Sequence, residues 1–114
     1  MPRATWLKDA LVKEGCNVIE VAGWQTRGSE SFTPKGVLAH HTASAAGSNA
    51  PSLNICINGR SDLSGPLCQV LIARNGDVYL IAAGRANHAG AGEWKGVSGN
   101  SSLFGIEVEN NGTG

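Results

Sequence analysis

The sequence predicts one α/β (α+β) domain, a mixed central β-sheet flanked by helices. Three observations carry this expectation. Trp6, Leu7, Ala10 and Leu11 recur at helical spacing near the start of the chain. Asn-Gly stands between two apolar runs in "CQVLIARNGDVYLIAAG", the strongest short hairpin signal. Across the whole chain the elements follow the order helix, strand, strand, helix, hairpin, strand.

The first helix is predicted over 5–14, with Thr5 as N-cap and Gly15 as its stop. "CNVIEVAGW" (16–24) alternates as a strand, and the Gly, Ser and Pro content of "QTRGSESFTPKG" makes the next segment a loop. "VLAHH" (37–41) is a second strand, too apolar to be half solvated. Leu53, Ile55 and Ile57 follow Pro51, a good first-turn residue, and precede Gly59, so a helix is predicted between them. The hairpin occupies 68–84. A loop, "RANHAGAGEWKGVSGNS", leads to the last strand, "SLFGIEVEN" (101–110). Alternation there puts Ile106 and Val108 on one face and Glu107 and Glu109 on the other.

Bulk properties exclude several classes. A chain of 114 residues has room for one core, without internal repeats or linkers. Nine basic and nine acidic residues cancel, so no global field draws the protein to nucleic acid or an anionic membrane. Cys16, Cys56 and Cys68 are odd in number and widely spaced, without a C-x-x-C, and read as reduced, mostly buried thiols rather than a disulfide framework or zinc knuckle. The N-terminus lacks the uninterrupted apolar core of a secretory signal, and no stretch has membrane-spanning length. Synthesis in the cytoplasm without a signal peptide or membrane anchor is the expectation.

Each chemically interesting residue also has a plain reading. Residues adjacent on a strand face opposite ways, so at most one of His40 and His41 addresses a given pocket, and on residue types alone His40 reads as a strand-end core histidine before it reads as a ligand. His88 is a histidine in a loop whose small neighbours let something approach the backbone. Glu107 and Glu109 fit the solvated face of an edge strand. Cys68 fits a small core hydrophobe, Arg85 a surface charge, and Trp24 and Trp94 core cover.

Taken together and in order, "VLAHHTAS", "RNGDVYLIAAGRANHAG" and "LFGIEVEN" resemble the zinc-dependent N-acetylmuramoyl-L-alanine amidases of the phage-lysin and peptidoglycan-recognition-protein family. The resemblance covers 36–110. The preceding "WLKDALVKEGCNVIEVAGWQTRG" is similar to the lead-in of lysins from phages that infect actinobacteria.

The resemblance implies that His40 binds a catalytic Zn while His41 faces the other way into packing. In such a site zinc keeps a position open for water, lowers its pKa toward about 7 and polarises the amide carbonyl. Relatives place near that water either a Tyr, at a position occupied here by Cys68, or a Glu in the last strand. Glu107 matches the glutamate version as general base, with Glu109 on the same side as a less favoured substitute. Asn87 and His88, with Arg85 beside them, are implied as substrate contacts at the rim of a muropeptide groove.

The implied reaction is hydrolysis of the amide between N-acetylmuramic acid and the L-Ala of the stem peptide, as in an endolysin that a bacteriophage uses for cytolysis. The implied partner is the peptidoglycan of the bacterial cell wall. Relatives supply their other zinc ligands downstream of the strand ending at Glu109. The chain is therefore expected to be a single amidase domain lacking its C-terminal part, with apolar side chains at 37–39, 70–72 and 104–108 left uncovered. A muropeptide-binding module without catalysis is the alternative, and a metal-independent partner fragment a third.

Overall fold

A computed structural model describes residues 3–44, 47–89, 93–94 and 97–112; the side chains of 93, 94 and 97, and with them the reading of Trp94, lie outside the description. The elements are α1 (Leu7–Lys13), β1 (Val18–Glu20), β2 (Gly36–His41), α2 (Leu53–Asn58), β3 (Gly59–Arg60), β4 (Leu63–Ser64), β5 (Val70–Ile72), β6 (Val78–Leu80), β7 (Glu93–Trp94), β8 (Val97–Ser98), α3 (Gly99–Ser102) and β9 (Leu103–Val108). Five strands form the central sheet in the order β1-β6-β5-β9-β2. Only the β5–β6 hairpin is antiparallel, and the other three pairings are parallel. The architecture is the mixed α/β sheet flanked by helices that the element order predicts.

Two clusters bury the two faces. On one, Leu7 of α1, Trp24, Phe32 and Phe104 pack over Val70, Val78 and Leu80. Phe104 meets Phe32 and Trp6 edge to face, with ring centroids 5.2 and 5.7 Å apart, a geometry that aligns positive ring edges with negative faces. On the other, Cys56 of α2 packs with Cys68, Leu71, Ile81 and Ala82. Leu71, Leu80 and Ile81 are fully enclosed, each stabilising the fold by roughly 1.5–3 kcal/mol relative to exposure.

Local chemistry moves several boundaries. α1 begins at Leu7 because Thr5 lies in a preceding turn and makes no cap; Trp6 holds the N-cap position without a side-chain bond. Gly15 ends the helix as expected, its φ of +87° allowing its N–H to reach the Val12 carbonyl at 3.0 Å. The 16–24 strand shrinks to three residues, since Trp24 N–H turns back to the Val21 carbonyl. In the hairpin Gly76 has φ +91°, and Ala73 and Asp77 close the turn through the Ala73 N–H. The β3–β4 hairpin, the β7–β8 hairpin and the single turn of α3 lie in stretches read as loop or helix flank.

Two expectations are corrected by sheet position. β9 is not an edge strand: it lies between β5 and β2, so Glu107 and Glu109 do not sit on a solvated edge. The edge on that side is β2, whose residues alternate half-buried and exposed. Uncovered apolar surface is accordingly narrower than expected, because Val70, Leu71 and Phe104 are buried, while Val37 is 59% exposed.

Candidate active site

The site is built on the parallel pairing of β2 with β9. His40 and Glu107 are register partners, so their side chains leave neighbouring strands on the same face. That face is the one covered by α2, because Glu107 is also in register with Leu71 of the α2-side cluster. His41 points to the opposite face, as the alternation requires. It is exposed there rather than packed, with Gly112 nearby, which corrects the expectation that it supports the core.

His88 reaches the site from the loop after β6. Asn100 fixes that loop: its Oδ1 accepts the N–H groups of His88 and Ala89 at 2.9 and 2.8 Å. The His88 side chain lies against Gly105, where a Cβ would overlap it. Its Nε2 is 3.0 Å from the Leu103 carbonyl, and its Nδ1 is 3.2 Å from Nε2 of His40. A carbonyl only accepts, so His88 carries its proton on Nε2, receives the His40 Nε2–H at Nδ1, and leaves His40 with its lone pair on Nδ1. Burial holds both imidazoles below the ordinary histidine range, partly offset at His88 by the Leu103 carbonyl, so both are neutral at pH 7.

The two glutamates have opposite surroundings. Glu107 is half-buried, and burial, helped by the charge of Glu109, raises its carboxyl to about 7. Glu109 is 5% exposed. Its oxygens accept the hydroxyls of Thr42, Ser44 and Ser52 at 2.7, 2.8 and 2.8 Å and the Ser52 N–H at 2.7 Å. Burial pushes its carboxyl up, but these four donors outweigh it and hold the group ionised below the usual range. Glu109 thereby clamps the end of β2 and the entry to α2 onto β9.

Arg85 and Asn87 stand apart from this cluster. With Arg27, Ser29, Ile57 and Pro66 they line an open cavity of about 420 Å³. Asn87 donates Nδ2–H to the Ser64 carbonyl at 2.9 Å and its N–H to the Pro66 carbonyl at 2.9 Å, which fixes its carboxamide at the cavity. Arg27 is held by the carbonyls of Ile81 and Ala22. The residues expected at a groove rim thus divide between the cavity (Arg85, Asn87) and the His40–Glu107 cluster (His88).

Asn100, Gln69 and the Thr42–Ser44–Ser52 cradle were not anticipated. Gln69 is fully buried, accepting Gly105 N–H at 2.6 Å and donating to the Gly84 carbonyl at 2.9 Å. A polar residue inside "CQVLIA" is the sequence signal for it, because a buried amide must find partners. No comparable signal marks the cradle, whose members lie 57 to 67 positions from the carboxylate they hold.

The described residues do not by themselves fit a zinc ion. His40 offers one lone pair, His88 spends its Nδ1 on His40 instead of aiming at a shared point, and no group of three His, Cys, Asp or Glu able to hold a metal occurs among the described residues. What the arrangement provides is a carboxyl raised to about 7 on the same face as a neutral imidazole, a group able to exchange a proton near neutrality.

Comparison with known proteins identifies the family. Residues 30–114 match the N-acetylmuramoyl-L-alanine amidase family, Amidase_2, and the chain belongs to it. Among solved structures it is similar to the endolysin N-acetylmuramoyl-L-alanine amidase LysCS from Clostridium intestinale URNW, with 28% identity and a TM-score of 0.51. The match covers 82% of this chain and 57% of that one, so the chain spans little more than half the endolysin's length. No curated protein matches it. No helix among the described residues is long and apolar enough to cross a membrane.

Proposed function

We propose that the chain forms the sheet and proton-transfer half of a peptidoglycan hydrolase, cleaving the amide between the lactyl group of N-acetylmuramic acid and the L-Ala of the stem peptide. The observation that carries this reading is the in-register placement of His40 beside a Glu107 whose carboxyl titrates at about 7, within an amidase-family chain. Glu107, as carboxylate, takes a proton from water as its oxygen adds to the amide carbonyl carbon. When the C–N bond breaks, the same carboxyl returns the proton to the departing L-Ala nitrogen. Glu109 is unsuited to that role, its oxygens being engaged by four donors.

His40 is the residue proposed to ligate zinc, through its Nδ1, as one member of a set whose other members are not among the described residues. Its neutral state and the bond to His88 support this. Arg85 and Asn87 are proposed to meet the stem peptide in the cavity they line, and His88 to border it. The expected setting is the bacterial cell wall, reached by an endolysin made during bacteriophage infection for cytolysis.

A second reading, a muropeptide-binding module without catalysis, is favoured by one observation, the lack of a three-donor group among the described residues. Digestion of purified peptidoglycan followed by chemical labelling of new amino termini separates the two. Free L-Ala amino groups appearing with intact glycan strands are expected for the hydrolase. Muropeptide binding with no new amino termini, in a zinc-supplemented preparation, would instead establish the binding module.

A further inference from the structure

We propose that Cys56 and Cys68 are a disulfide-forming pair, closing by exchange with a small-molecule disulfide such as oxidised glutathione and fastening α2 to the segment that leads into β5. The hydrolase reading uses neither thiol, and the inference stands apart from it.

Three observations carry the pairing. Cys56 is the buried residue of α2, and it packs with Cys68 in one cluster beneath that helix. Cys56 lies close enough to Cys68 to push its thiol, together with burial, well above the ordinary range. The backbones are joined next to them, since Leu67 N–H donates to the Cys56 carbonyl at 2.7 Å. Side chains packed in one cluster, on backbones already tied together at the neighbouring residue, bring the thiols toward the proximity that a disulfide demands.

Cys16 provides an internal control. It is half-buried and packs against the α1-side cluster, so the central sheet stands between it and the pair. A native disulfide therefore joins 56 to 68 and leaves 16 free.

The exchange balances without any further reagent. Cys56 is the more accessible thiol, 4% exposed against 0% for Cys68. Its thiolate attacks one sulfur of glutathione disulfide and releases glutathione, which takes up a proton. Cys68, losing its own proton to solvent, then attacks the Cys56 sulfur of the mixed disulfide and releases the second glutathione. Two protein thiols are oxidised to one disulfide, and one glutathione disulfide is reduced to two thiols.

The test is equilibration of the 114-residue chain in glutathione redox buffers, once in native conditions and once in urea, with acid quenching, alkylation and peptide mapping. The Cys56–Cys68 bond is expected at an effective concentration at least about tenfold higher in the native chain than in the unfolded one, with Cys16 alkylated in both. A native value equal to or below the unfolded one overturns the proposal, because the fold would then give the bond no advantage. So does a native disulfide that includes Cys16.

Discussion

Glu107 in β9 and Glu109 just past its end stand two residues apart, yet their carboxyls are displaced in opposite directions, Glu107 up to about 7 and Glu109 below the ordinary range. The two-residue spacing, continued past β9 by the Glu109 N–H bond to the Ile72 carbonyl, explains their closeness, and hydrogen-bond donors explain the divergence. Four donors converge on Glu109, whereas burial dominates at Glu107. One carboxyl is therefore suited to exchanging a proton near neutrality and the other to remaining charged.

Glu107→Gln is expected to lower amide hydrolysis by roughly 10²- to 10⁴-fold, the usual contribution of a positioned general base. In the parent protein activity rises with pH through an apparent value of about 7. Stability should run the other way. Because the folded value is raised, the stabilising contribution of Glu107 is present below its unfolded value and is lost as pH rises through about 7. Turnover and urea midpoints recorded from pH 5 to 8 should show both slopes in the parent and neither in the variant. An unchanged rate in Glu107→Gln would remove it from the mechanism.

Glu109→Gln should cost about 2–4 kcal/mol of stability, since an ionised acceptor of four bonds is replaced by a neutral amide that also brings donors into the cradle. The folded value here is lowered. The contribution is thus complete above the unfolded carboxylate value and fades as pH falls through the folded one. Denaturation curves should separate parent and variant widely at pH 7 and less at pH 3. Equal separation at both would mean that the charge is irrelevant to the clamp.

The large features of the fold were legible in the sequence because they rest on local signals. Asn75-Gly76 set the hairpin, Gly15 and Gly59 ended helices, and alternation alone sent His40 and His41 to opposite faces. What escaped depends on partners far apart along the chain. Thr42 and Ser44 reach Glu109 across 67 and 65 positions, and the interior place of β9 follows from pairing with β2 and β5 rather than from its own composition. His88 was read as a groove residue, and its bond to His40 across 48 positions could not be read from loop composition.

His40→Ala is expected to abolish hydrolysis in an active preparation and to reduce its zinc content. His41→Ala should retain activity within about twofold and stability within about 0.5 kcal/mol, the range of ordinary exposed substitutions. Metal analysis and thermal melts of the two variants side by side check this. Equal metal loss in both would contradict the assignment of faces.

Gly105→Ala places a methyl group where the His88 ring lies. The ring must move, breaking its contact with either the Leu103 carbonyl or His40. A destabilisation of about 1–3 kcal/mol is expected, as for overpacked sites, together with altered His40 and His88 imidazole ¹⁵N shifts. Unaltered shifts would show that the histidine pair does not depend on this close approach.

The 114-residue chain alone should take up zinc only weakly, with no tight one-to-one complex in calorimetry, because at least three converging ligands are needed and the described residues do not supply them. Tight stoichiometric binding would assign a ligand position to His88 or to a carboxylate.

Gln69 joins three parts of the molecule through a single carboxamide: its own segment ahead of β5, Gly105 in the middle of β9, and the Gly84 carbonyl at the root of the loop that carries Arg85, Asn87 and His88. Fully enclosed, it exchanges these bonds with no solvent. Recognition elements on loops ordinarily lose entropy when a ligand arrests them. Here the loop is arrested in advance by the interior of the sheet, so a bound glycopeptide would find its contacts already in place, and the toll of ordering them falls on folding instead of on association.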